Sequence, residues 1–146
     1  MMTLLLAFAA GTSAPVDVAP HRVAIDHRGA PVTLVYDADV RVKTRDIGAA
    51  TPNRPDSRRC LWNVQLVAAR HVEAERAAQP ALRHAFEAEK VAEGSRHGTC
   101  MMNRAAIAAD VAAKQTKIQG QLQALADRDR SVVLAELDTA RAFASN

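Results

Sequence analysis

Aromatic side chains are scarce: Phe, Trp and Tyr reach only 3% of the 146 residues, with one Trp and one Tyr. A core built on stacked rings is excluded, and an aliphatic core is expected with Trp62, Tyr36, Phe86 and Phe143 as its few large pieces. Cysteine is almost absent too. Two residues allow a single intramolecular pairing, Cys60 with Cys100. No apolar run is long enough for a transmembrane helix, so no transmembrane segment is expected. Charge of one sign is also lacking, because 19 basic residues stand against 16 acidic ones for a net charge of +3. The surplus falls between Pro15 and Val72, and a weak local basic surface is all that it implies. The charged fraction of 24% is ordinary for a folded domain.

Assembled chemistry is missing as well. The five His (His21, His27, His71, His84 and His97) show neither the Cys-x-x-Cys nor the His-x-x-x-His spacing that closes around zinc. Gly94, Ser95, Arg96, His97 and Gly98 form neither a nucleophile elbow nor a phosphate loop. Asp37 and Asp39 lie two apart but continue into Arg41 and Lys43, the alternation of a solvated strand face. No catalytic residue, metal ligand or cofactor is therefore expected, and a small hydrolase or metalloenzyme is the least supported class.

What is present is organised around the stretch from Arg58 to Val67. Under strand alternation Cys60, Trp62, Val64 and Leu66 share one side, and Leu61, Asn63, Gln65 and Val67 share the other. This predicts a central strand, buried on its Trp62 side and partly covered on the other, running to about His71. Before it, Arg22 to Asp26 alternates, and Arg28, Gly29 and Pro31 supply turn chemistry. Val32, Leu34, Tyr36, Ala38, Val40 and Val42 then alternate with polar residues, which predicts a long second strand. Residues 46–57 hold Gly48, Pro52, Asn53 and Pro55 without periodicity and read as a loop. A meander in sequence order over 21–72 is expected.

The period then changes. A helix is predicted from Gln79 and Pro80 to about Glu93, stopped at residues 94–98. Thr99 is the expected N-cap of a second helix beginning at Cys100, with a bend at residues 127–131 before a last helical segment. Val111, Ile118, Leu125 and Val132 recur every seven residues. Lys114, Gln115, Gln121 and Gly120 interrupt that heptad, so the seam is expected on the protein's own sheet rather than in a coiled coil. The fold expected is α+β: a small antiparallel sheet of about three strands, followed by a helical C-terminal half over 79–145 packed on it. A Cys60–Cys100 bridge would staple the two.

Residues 1–14 form an apolar run ending in small residues, as in a secretory signal, although no basic residue precedes the run. Residues 15–20 read as a tether before one domain over 21–146. Arg41, Lys43, Arg45, Arg54, Arg58 and Arg59 cluster along the second strand's end and the following loop, against Asp46 and Asp56 alone. They are the candidate binding surface, for an anionic envelope component or an acidic protein. The function expected is an exported (periplasmic or secreted), disulfide-stapled, non-enzymatic module. A cytoplasmic accessory protein that binds nucleic acid is the alternative. It is disfavoured because no aromatics interleave with the cations as stacking platforms.

Overall fold

A computed structural model describes residues 16–73 and 83–145 of the chain. The expected signal segment, and the start of the helix expected at Gln79, lie outside the described residues.

Five strands form one antiparallel sheet among the described residues. They are β1 (His21–His27), β2 (Ala30–Ile47), β3 (Arg59–Glu73), β4 (His84–Ala85) and β5 (Glu89–His97). β1, β2 and β3 lie in sequence order, and β4 and β5 both pair with β3. The meander is as the alternation predicts. Arg28 and Gly29 both take positive φ in the β1–β2 turn, and the Gly29 N–H donates to Asp26 Oδ1.

The sheet is larger than three strands because the stretch expected as a helix joins it. Its Glu, Lys and Ala content favours a helix, yet β5 runs beside β3 and completes its second side. A bulge at Val64/Gln65 gives β5 one extra residue, Val91, which is buried. Gly94, expected to help stop a helix, is instead a strand residue opposite Trp62. A Cβ there would come within 2.5 Å of the Trp62 ring, so the missing side chain is the slot in which the indole lies.

Two helices follow, α1 (Arg104–Ala112) and α2 (Gln115–Ala144). α1 starts four residues later than expected. Thr99 is not its cap: its hydroxyl accepts from the Met102 N–H in a preceding turn, and Asn103 takes the cap position. α2 runs unbroken through residues 127–131, where a bend was expected, and the break falls at residues 113–114 instead. Asp129 explains the continuity. It looks like loop punctuation in the sequence, but it belongs to the buried row Ile118, Leu122, Leu125, Ala126, Asp129 and Val133. The seven-residue seam ends for the same geometrical reason. An α-helix drifts about 20° per heptad, so Val132 is 48% exposed while Val133 is 1% exposed.

The core lies between one sheet face and the helices. Leu34, Tyr36, Cys60, Trp62, Val64, Leu66 and Ala68 meet Ile107, Val111, Ile118, Leu122, Leu125 and Val133. Residues 16–20, expected as a tether, contribute to it: Val18 is buried, and Gln115 and Gln119 donate to the Asp17 and Ala19 carbonyls. The Cys60–Cys100 bridge is closed, with a Cα–Cα distance of 4.7 Å, and it joins β3 to the turn before α1.

Candidate functional site: the open sheet face

Alternation sends half of each strand away from the helices. On that second face the register aligns Arg41 with Gln65, Lys43 with Asn63 and Glu93, and Arg45 with Leu61 and Ser95. Arg59 stands in the same row as Leu61 and Asn63, and its Nη2 donates to Ser95 Oγ at 2.8 Å. Four of the six expected surface residues, Arg41, Lys43, Arg45 and Arg59, thus converge on one face. Arg41, Lys43 and Arg45 make no side-chain hydrogen bond or ion pair among the described residues.

The other two cations are placed differently. Arg54 sits in the exposed loop between β2 and β3. Arg58 is tied to Asp56, with Nη2 to Oδ2 at 2.8 Å and the backbone N–H to Oδ1 at 2.9 Å. That guanidinium and N–H hold the Asp56 carboxyl down to about 2. Arg58 therefore spends its charge locally, and it is not grouped with the sheet-face cations.

The face is divided along its length. Toward the β1–β2 turn, Arg22 pairs with Glu73 at 2.6 Å and His71 with Asp37 at 3.2 Å. Val35, aligned with both Arg22 and His71, is buried even though it points away from the helices. At the other end the face carries the three unpaired cations and the exposed Leu61. Asp39 adjoins Arg41 in the same row without an ion pair to it. Glu93, level with Lys43 two strands over, is held by Lys90 at 2.7 Å, which lowers its pKa. Asp46 points to the other side, where Oδ1 accepts the Cys100 N–H at 2.6 Å.

A second cluster escaped sequence reasoning. Arg70 continues the Cys60-to-Ala68 row into the core and is 1% exposed. Its Nη1 donates to Asp129 Oδ2 at 2.6 Å, its Nη2 donates to Glu136, and the Tyr36 hydroxyl donates to Asp129 Oδ2 at 3.0 Å. Burial, then the bond to Asp129, pushes the Tyr36 phenol well above its ordinary value. The signal was available: Arg70 and Asp129 both occupy core positions of their own periodic rows, with opposite charge. Arg70 Nε is buried without a hydrogen-bond partner, while both Nη atoms are engaged by the two carboxylates.

Among the described residues, Asp46, Cys60 and Cys100 bring three potential metal-ligand atoms together. With the sulfurs bonded to each other, neither supplies a thiolate. No helix among the described residues is long and apolar enough to cross a membrane. Compared with protein-family models, curated proteins and solved structures, the chain matches none of them.

Proposed function

We propose that this chain is an exported, disulfide-stapled, non-enzymatic module that binds an anionic envelope component on its open sheet face. The observation that carries the reading is the convergence of Arg41, Lys43 and Arg45 on an uncovered surface, without carboxylate partners among the described residues. A rigid sheet holds the three charges in register, so an anion meets them without ordering a loop first. The closed Cys60–Cys100 bridge supports an oxidising compartment. Trp62, Tyr36 and Phe86 all belong to the helix-covered side, which leaves the open face without the stacking platforms that single-stranded nucleic acid uses.

The test is a charge reversal, Lys43→Glu with Arg45→Glu, in the oxidised protein. Retention on the native envelope fraction is expected to weaken with rising salt and to fall at least tenfold in the variant at low salt. Retention equal to the parent's, or indifferent to salt, would remove the open face as the binding surface.

A further inference from the structure

β2 is 18 residues long, but β1 pairs only with its first part, up to Tyr36. Residues 16–18 flank Ala38 to Arg41. Beyond them, residues 42–47 have no neighbouring strand on that side among the described residues. An unpaired strand edge presents backbone donors and acceptors to any extended chain that arrives.

Beside that edge lies a mainly apolar groove of about 360 Å³, with Arg104 as the charged residue in its lining. Val42 and Thr44 form its floor, Ile107, Ala108 and Val111 of α1 form its wall, and the 87% exposed Met101 stands at its mouth. Cross-strand neighbours share a face. In a strand added beside β2, residues level with Val42 and Thr44 would turn into this groove. Residues level with Arg41, Lys43 and Arg45 would turn onto the open face, among the cations.

We infer that residues 42–47 of β2 take up an extended polypeptide segment from a partner, in which apolar and acidic residues alternate. The inference rests on the anionic-partner reading and names that partner's chemistry. Two other occupants fit poorly on charge. A second copy pairing edge to edge, antiparallel about Lys43, sets Lys43 against Lys43 and Arg41 against Arg45. The chain's own residues 1–15 contain no Asp or Glu to meet the cations. An alternating acidic segment satisfies the edge, the groove and the cations at once.

The probe is a fluorescein-labelled octapeptide that alternates Glu and Val, titrated into the oxidised full chain and read by anisotropy. A block peptide of four Glu followed by four Val keeps charge and apolar content without the alternation. An alternating peptide N-methylated at every second amide removes donors from one edge. Both are expected to bind at least tenfold more weakly than the parent probe. Ala108→Glu, which fills the groove from α1, and Lys43→Glu with Arg45→Glu are each expected to weaken the parent probe at least tenfold with unchanged Tm.

Equal binding of the block or methylated peptide overturns strand docking. If the charge reversal still weakens envelope retention, the anionic-surface reading survives that result. Loss of both the probe effect and the retention effect overturns both. A dimer in sedimentation that Ala108→Glu dissociates would assign the edge to a second copy and overturn the inference. So would probe binding that appears only after Leu4→Asp with Leu6→Asp, which would give the edge to the chain's own first residues.

Discussion

The sheet meets its helices in two different ways at its two ends. Near the β1–β2 turn, the long α2 crosses the sheet and encloses a charged cluster, Arg70 with Asp129, Glu136 and Tyr36. His27 and Arg28 then reach Asp138 on the same helix at 2.8 and 3.0 Å. Near the loop end, the nine-residue α1 contributes Ile107 and Val111 to the core but leaves Val42 at the floor of an open groove, and a covalent bond holds the join. Buried area and a polar network centred on Arg70 secure the first end. At the second, a disulfide stands in for area that is not buried. The end with less packing is the one that carries the proposed binding surface.

Breaking the first end should cost most. Asp129→Ala leaves the Arg70 guanidinium buried without its buried carboxylate partner, and a loss of about 3–5 kcal/mol is expected. Chemical denaturation of the oxidised protein measures it. Arg70→Met combined with Asp129→Leu restores an apolar fit and should recover most of that loss. A single mutant as stable as the parent would mean the cluster contributes little to this end.

Cutting the staple comes next. Reduction of the bridge, or Cys60→Ser with Cys100→Ser, frees a loop of 40 residues and should destabilise by about 4 kcal/mol at most on the chain-entropy estimate. Non-reducing mass spectrometry of alkylated native protein should first find no free thiol. Hydrogen exchange on the reduced form sharpens the comparison. Protection should fall first in α1 and β5, and last in α2 near Asp129. Uniform loss along the chain would show that the two ends are held as one unit.

The smallest effect belongs to Tyr36→Phe, which deletes one buried hydrogen bond worth about 1 kcal/mol. Its pH dependence identifies it. The folded phenol titrates well above its ordinary value of 10.0, so the folded state holds this proton more tightly than the unfolded chain. Its contribution is full below pH 10.0 and is lost as pH rises above that. The parent's denaturation midpoint should therefore fall more steeply than the variant's as pH rises above 10.0, and the two should run parallel below it. Parallel curves would place the hydroxyl outside the network.

Much of this protein was legible in its residue pattern. Period-two alternation marked β1, β2 and β3 and their order, because a half-buried strand must send apolar residues to one side only. Two cysteines left one pairing to consider. The Ile118 and Leu122 row predicted which helix faces the sheet. What tertiary structure alone decided is where local preference was outvoted. Residues 89–93 favour a helix by composition and Gly94 reads as its stop, but β3 had a second edge to fill and Trp62 needed a neighbour without a side chain, so both became part of a strand. Asp129 and residues 127–131 look like punctuation until Arg70 is placed opposite them. The basic stretch was visible as six residues in a row of text. Only the register separated Arg41, Lys43, Arg45 and Arg59 on one face from Arg54 in its loop and Arg58 on its own aspartate. Local propensity is worth a fraction of a kcal/mol per residue, whereas pairing an edge and burying a charge are each worth several times that.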